Sequence, residues 1–288
     1  LLHAWFNPYR AALPGTAAGL ASNHITKRRP DLVRTVGNYL WLDPSQADVK
    51  QYTQDVITDV VRRYDIDGVH LDDYFYPYGS YYPPGGDFPD GTAWDKYRAG
   101  GGTLSRADWR RGHVNELIES LYGRVKATKR GVLFGVAPFG IWRPGNPAGV
   151  VGLDAYSELY ADSRLWLNRG WLDYFSPQLY WPIAPPAQSF TALLDWWLGE
   201  NKQGRHVWPG MSTGRIRDGS AKPYAVSEIV NQIDETRRRS GSPGHIHYSQ
   251  KTFERNPDGV VMALQTGPYA QRAVVPASPW LGATLPAR

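Results

Sequence analysis

The chain has 288 residues, 42% of them hydrophobic, a net charge of +5 and no cysteine. That length suits one large domain or two small ones with a sizeable core, and the missing cysteine excludes disulfides and thiolate metal sites. Lys and Arg are scattered, and the dense run Arg237-Arg238-Arg239 sits at a predicted helix end, where cations suit the helix dipole. No nucleic-acid-binding module is visible, and no apolar run reaches the roughly 18 residues of a membrane span. The opening, Leu1-Leu2-His3-Ala4-Trp5, lacks a charged leader and reads as a strand already under way. Aromatic residues make up 13%, with 12 Trp and 18 Tyr, many in Pro- and Gly-rich stretches. Exposed Trp and Tyr stack on sugar faces and also anchor protein interfaces.

Leu2 to Tyr9 is predicted as a strand, with Trp5 and Asn7 on one face. A loop of small residues follows. Asp43 is expected to cap a helix with Pro44 at its first position, and its apolar side is expected at Val49, Tyr52, Val56, Val60 and Tyr64. A strand from about Ile66 to Leu71 then runs into Asp72, Asp73 and the aromatics Tyr74, Phe75 and Tyr76. A buried strand does not normally finish on two acids, because burying charge is costly. In a barrel of parallel strands, the C-terminal strand ends carry the chemistry. The competing reading is a pair of capping aspartates in a tight loop.

Tyr78 to Gly102 reads as a long loop of the kind that is functional or mobile. Ser105 is expected to cap the next helix, with Asp108 three residues on and a stripe of Trp109, Leu117, Leu121 and Val125. Val132 to Phe139 is a predicted strand, Asp154 to Asn168 a helix, and Asp173 to Trp181 a strand. Phe190 to Leu198 is a short amphipathic helix and His206 to Met211 a strand. Val226 to Arg239 is a helix with Ile229 and Ile233 inward, and Gly244 to Ser249 the last strand. Helix and Pro-rich coil follow from Asn256.

Strands and helices alternate, which argues for a parallel sheet of βα units. Strands are visible near residues 2, 66, 132, 173, 206 and 244, whereas a full barrel needs about eight. The expected fold is α/β, a (β/α)8 TIM-type barrel truncated at its N-terminus with the first two βα units missing. It is expected as a single partial domain over residues 1–288, ending in a Pro-rich tail.

Glycoside hydrolysis needs two carboxyl groups, or one with help from the substrate. Asp72 shares a strand face with His70 and ranks ahead of Asp73 as general acid if that face is the lumen. Asp73 would then order the loop, and a bulge at the strand end would exchange the two. The second carboxyl is left between Glu158 and Asp162, at i and i+4 on one helix side. The alternative for both is surface pairing with Arg164 or Arg169. Asn7, His70, Tyr74, Trp142, Gln178, Tyr180 and Trp181 are candidates for sugar contact, the polar groups through hydroxyls and the rings through stacking. For Trp181 the alternative is packing under a loop. His245 and His247 share a strand face as a possible metal pair, but no third ligand is visible and no metal is assigned. Neither phosphate-loop fingerprint nor a Gly-x-Ser-x-Gly elbow is present, and no cofactor is expected.

Five motifs occur in order. They are His3-Ala4-Trp5-Phe6-Asn7-Pro8-Tyr9-Arg10, Tyr39-Leu40-Trp41-Leu42-Asp43-Pro44, Tyr64 through Tyr74, Ala137-Pro138-Phe139-Gly140-Ile141-Trp142-Arg143, and Pro177-Gln178-Leu179-Tyr180-Trp181. Together they resemble the glycosyl hydrolase-like family ten domain, which includes a bacterial envelope enzyme acting on denuded peptidoglycan glycans. The resemblance implies a TIM-type barrel with glycosidase activity on bacterial glycans. It carries the strand-end acid onto Asp72, with Asp73 adjacent, and through Tyr160-Ala161-Asp162-Ser163-Arg164 it favours Asp162. It also implies that the βα units before the His-Ala-Trp-Phe strand are missing. The expected function is cleavage of a bacterial cell-wall or related glycan by general acid catalysis. Glu158, Asp162 or the substrate's acetamido group would complete the mechanism. Alternatives are a glycan-binding barrel without turnover and a metal-dependent hydrolase using His245 and His247. The expected partner is a polysaccharide or peptidoglycan glycan, with no nucleic acid. The resemblance implies export to the periplasm, envelope or exterior.

Overall fold

The computed structural model describes residues 1–239, 241 and 244–282. It divides into two compact units, Leu1–Val132 with Asp154–Ser163, and Leu133–Leu153 with Arg164–Arg288. The fold is α/β with mostly parallel strands. Among the described residues no helix is long and apolar enough to cross a membrane.

In the first unit β1 (His3–Phe6) pairs in parallel with a later strand, Gly68–Leu71, placing Phe6 opposite Leu71. Between them lie β2 (Arg10–Ala12), α1 (Ile25–Arg28), β3 (Val33–Val36), β4 (Tyr39–Leu42) and α2 (Ala47–Arg63), so that Gly68–Leu71 is β5. Val69 and Leu71 are fully buried. A Cβ on Gly68 would come within 2.5 Å of the His3 ring, so the close approach of β1 and β5 needs glycine there.

The expected loop after β1 is instead a small antiparallel sheet in the order β2, β4, β3. Its signal was present. Val33-Arg34-Thr35-Val36 and Tyr39-Leu40-Trp41-Leu42 flank Gly37-Asn38, a two-residue hairpin connection, and Gly37 takes φ +53°. Trp41 is buried, and its indole N–H donates to the Phe75 carbonyl at 3.0 Å.

Helix α2 begins four residues later than Asp43. Asp43 is fully buried and caps the preceding turn. It accepts from Ser45 N at 3.0 Å and Ser45 Oγ at 2.6 Å and pairs with Arg34 at 2.8 Å. The inward face of α2 is Val49, Thr53, Ile57 and Val61, while Tyr52, Val56 and Tyr64 are exposed. Of the expected stripe Val49 is buried and Val60 half-buried while the other three face solvent, because polar residues go inward with their hydrogen bonds made. Thr53 donates to the Pro8 carbonyl at 2.9 Å and Thr58 to Gln54 O at 2.7 Å.

The long stretch after Tyr78 carries a 3-10 turn at Gly79–Tyr81 and α3 (Gly91–Ala99). Helix α4 (Arg106–Thr128) starts as expected, with Ser105 Oγ accepting from Asp108 N at 3.1 Å. Trp109, Leu117, Leu121 and Val125 are buried along it. The predicted helix from Asp154 is broken into α5 (Ala155–Glu158) and α6 (Ser163–Arg169), because Tyr160 takes φ +51° between them.

In the second unit β6 (Leu133–Val136), β7 (Tyr174–Phe175) and β8 (His206–Val207) are parallel neighbours, and β9 (Gly210–Met211) pairs in parallel with β10 (Ile246–His247). The strand expected over His206–Met211 is split at Trp208-Pro209, since proline has no N–H for a ladder. Helices α7 (Phe190–Glu200), α8 (Val226–Arg237), α9 (Gln250–Arg255) and α10 (Val260–Thr266) complete the unit, with Ile229 and Ile233 fully buried. Buried Asp173 accepts from Phe134 N at 2.7 Å and from Trp280 Nε1 at 2.8 Å, fastening the tail to the strands. Residues 283–288 of the expected coil lie outside the described residues.

Candidate active site

The ends of β1 and β5 lie side by side, and Asp72 N reaches Phe6 O at 3.4 Å just past the ladder. Asn7 and Asp72 therefore emerge from neighbouring strand ends. The chain turns tightly there: Asp73 N donates to Asp72 Oδ1 at 2.9 Å, and Phe75 N to Asp73 O at 3.0 Å. Asp72 stays partly exposed, whereas Asp73 is only 4% exposed and accepts a hydrogen bond from the Tyr78 hydroxyl.

Burial, then the neighbouring Asp72 charge and side-chain contact, push the Asp73 carboxyl up to about 7, with Tyr78 opposing the shift. The Asp73 carboxyl therefore holds its proton below about pH 7, beside the Asp72 side chain. Beside them, burial lowers His70 to about 4 against the pull of Asp72, so this imidazole is neutral at pH 7.

The sign of the Asp73 shift gives a stability test. The folded state holds this proton more tightly than the unfolded chain. The associated stabilisation is therefore fully present below the ordinary value of 3.8 and is lost as pH rises to about 7. Asp73→Asn is expected to be more stable than the parent at pH 8, by on the order of 2–4 kcal/mol, with the advantage vanishing towards pH 4. Urea titrations at both pH values check this; a constant difference would mean that Asp73 titrates as it does in water.

An aromatic wall rises from the same loop. Tyr74 meets Tyr78 edge-on at 5.8 Å, Tyr78 lies 6.0 Å from Tyr81, and Tyr81 stacks on Tyr39 at 4.4 Å. Arg10 lies 4.3 Å above the Tyr74 ring. Tyr39, Tyr78, Tyr81 and Arg10 were missed as site residues. Their signals are the Tyr-rich loop for Tyr78 and Tyr81, the Tyr-Leu-Trp-Leu-Asp-Pro motif for Tyr39 and the last residue of the His-Ala-Trp-Phe-Asn-Pro-Tyr-Arg motif for Arg10. Asn7 Oδ1 is buried with no donor among the described residues.

The loop is anchored at its far end by Arg110 of α4. Its guanidinium bonds Asp90 at 2.7 and 2.8 Å and Asp87 at 2.7 and 2.9 Å, and donates to the Tyr160 hydroxyl at 2.6 Å. The Tyr160 ring packs edge-on against Tyr76 at 4.8 Å, which accounts for its left-handed backbone between α5 and α6. Of the candidate second acids, Glu158 is exposed beside the loop, its Oε2 lying 3.9 Å from where a Cβ on Gly79 would be. Asp162 is half-buried just before α6. Arg164, considered as a partner for either acid, pairs with Glu200 at 2.8 Å.

The remaining candidates belong to the second unit. Trp142 stacks on Trp196 at 6.0 Å under the Arg164 guanidinium. Gln178 donates to Ala137 O at 3.0 Å and Tyr180 stacks on Tyr248 at 5.8 Å. Trp181 meets Phe139 edge-on at 5.6 Å. His245 and His247 both hydrogen-bond the Tyr269 hydroxyl, and His247 Nδ1 also engages Thr213 Oγ1 at 2.6 Å. Burial lowers them to about 3 and about 4. Among the described residues no group of three or more His, Asp or Glu side chains could hold a metal ion, so the metal-dependent alternative lacks a ligand set.

A family model described as Glycosyl hydrolase-like 10 matches residues 1–225. The chain belongs to the glycosyl hydrolase-like 10 family. Among family relatives, it is 38% identical over 293 residues to glycosyl hydrolase YngK of Bacillus subtilis strain 168, covering 99% of this chain and 56% of the relative. It is 40% identical over 253 residues to glycosyl hydrolase DigH of Escherichia coli K12, covering 81% of this chain and 56% of the relative. The chain thus spans about half the length of the curated relatives it matches. In fold it is similar to the PgaB (BpsB) glycoside hydrolase domain of Bordetella bronchiseptica, with a TM-score of 0.59 at 16% identity over 91% of this chain and 74% of that one. Bee venom hyaluronidase in complex with a hyaluronic acid tetramer gives a TM-score of 0.50 at 11% identity over 96% of this chain and 100% of that one.

Proposed function

We propose that this protein is a βα-barrel glycosidase that cleaves a bacterial cell-wall glycan, with the Asp72–Asp73 pair supplying the proton. The carrying observation is the pair itself: a buried acid that keeps its proton to about pH 7 hydrogen-bonded against a more open one at a strand end. Family membership and fold relatives that are glycoside hydrolases support the same reading. In this reading the shared proton passes through the Asp72 carboxyl to the glycosidic oxygen as the bond to the anomeric carbon breaks. The pair is left ionised, with the Tyr78 hydroxyl stabilising Asp73. The anomeric centre is then met by water or by the substrate's own acetamido oxygen; Glu158, beside Gly79, is the candidate base for the water route. Tyr74 and Tyr39 offer faces for sugar rings, and Asn7 Oδ1 an acceptor for an N–H or hydroxyl. Export to the envelope would bring such an enzyme to its substrate.

The test is digestion of purified, peptide-free glycan strands by the full-length protein, followed by chromatography of the products. Short glycan fragments are the expected result. Tight co-sedimentation with intact strands and no release would instead make the protein a glycan-binding module.

A further inference from the structure

Arg10 has no role in the proton transfer above, yet its surroundings are unusual. It follows β1 at the strand end where Asp72 emerges, and its backbone is fixed opposite Trp41 in the β2–β4 pairing. Its guanidinium lies over the Tyr74 ring at 4.3 Å, and the residue is only partly exposed. Arg29, Arg34, Arg106, Arg110, Arg111 and Arg124 are the other arginines of this unit that are not fully exposed, and each pairs with an aspartate. Among the described residues Arg10 pairs with none, although Asp72 and Asp73 both act on the same Tyr74 phenol that it covers. A guanidinium held over a ring without an acid partner still has N–H groups to give, and its fork matches a planar carboxylate in a two-pronged bond. A neutral sugar has no need of such a fork. A charged one does, because the aspartate pair would otherwise repel it.

We propose that Arg10 is a specificity-determining residue that binds a carboxylate carried by the sugar seated against Tyr74. The substrate class is then a glycan bearing carboxyl groups. This deepens the glycosidase reading and rests on it for the placement of the sugar. The carboxylate could sit on a lactyl ether, as in peptide-free peptidoglycan, or on a uronic acid, as in hyaluronan.

The experiment uses the full-length protein and both glycans as oligosaccharides, each in native form and with its carboxyls reduced to alcohols. Kd is measured by calorimetry and turnover by product release. At least one native glycan is expected to bind about 10–100-fold tighter than its reduced form, the range for a charge-assisted hydrogen-bonded pair. The glycan that shows the preference names the source of the carboxylate. In Arg10→Gln this ratio falls to about one, and in Arg10→Lys it is intermediate, because an ammonium keeps charge but loses the fork. No preference for either native glycan, or an equal loss on native and reduced forms in Arg10→Gln, overturns the proposal and leaves Arg10 as a packing group for Tyr74. A preserved binding preference without turnover would overturn the glycosidase reading alone. Cleavage indifferent to the carboxyl would overturn the Arg10 assignment alone.

Discussion

Asp72→Asn is expected to lower turnover on glycan strands by about 10²- to 10⁴-fold while leaving strand binding nearly intact. An amide cannot pass a proton to the leaving oxygen, but its Oδ1 can still accept from Asp73 N, where the present distance is 2.9 Å. The tight turn is therefore kept and the chemistry is lost. Asp73, nearly buried behind it, cannot replace the open member of the pair without moving Tyr78. Rates of reducing-end release, measured beside pull-down of intact strands, separate the two effects. Near-parental turnover in this variant would transfer the proton-donating role to another carboxyl.

The second large effect concerns stability. Arg110→Ala is expected to cost about 3–5 kcal/mol, the usual penalty for breaking a buried ion pair by removing one partner. The Arg110 side chain is 2% exposed and that of Asp90 is 0% exposed. Removing the guanidinium leaves Asp90 with Arg106 as its remaining ion-pair partner and frees Asp87, Tyr160 and the Phe88 carbonyl from the same hub. Arg110→Lys is also expected to be costly, because a single ammonium cannot span two carboxylates and a phenol. An Arg110→Met/Asp90→Leu double variant should lose less than the sum of its two single changes, since neither charge is then stranded. Equilibrium denaturation measures all of these, and a loss below about 1 kcal/mol in Arg110→Ala would mean that the hub adds little.

Much of the fold was legible because several levels of signal agreed. Helix α4 has a cap, a capping partner and an apolar stripe that all point the same way. The alternation of strands and helices marked parallel pairing. The failures came where tertiary partners override local pattern. Inward threonines on α2 are satisfied by the Pro8 carbonyl and by the helix itself. Tyr160 breaks a plausible helix because Arg110 and Tyr76 hold it elsewhere. The small sheet of β2, β3 and β4 carries its local signal in the Gly37-Asn38 turn between two apolar runs. The acid pair was legible from its place at a strand end. Which member is buried was not, because that depends on Tyr78, and strand alternation says nothing about a partner five residues away. Arg10 could be noticed in its motif, but its lack of an acid partner exists only in three dimensions.

The aromatic loop is moored twice, near its start by Asp73 with Tyr78 and further along by Asp87 and Asp90 on Arg110. Pro83, Pro84, Gly85 and Gly86 lie between these moorings and are exposed. Insertions or deletions across these four positions can therefore remodel the aromatic loop without disturbing the Asp72–Asp73 turn. Lengthening a flexible span costs only about 0.6 kcal/mol per doubling. Under the proposed function, divergence in glycan preference has a ready route through the length of that span, with the acids held constant beneath it.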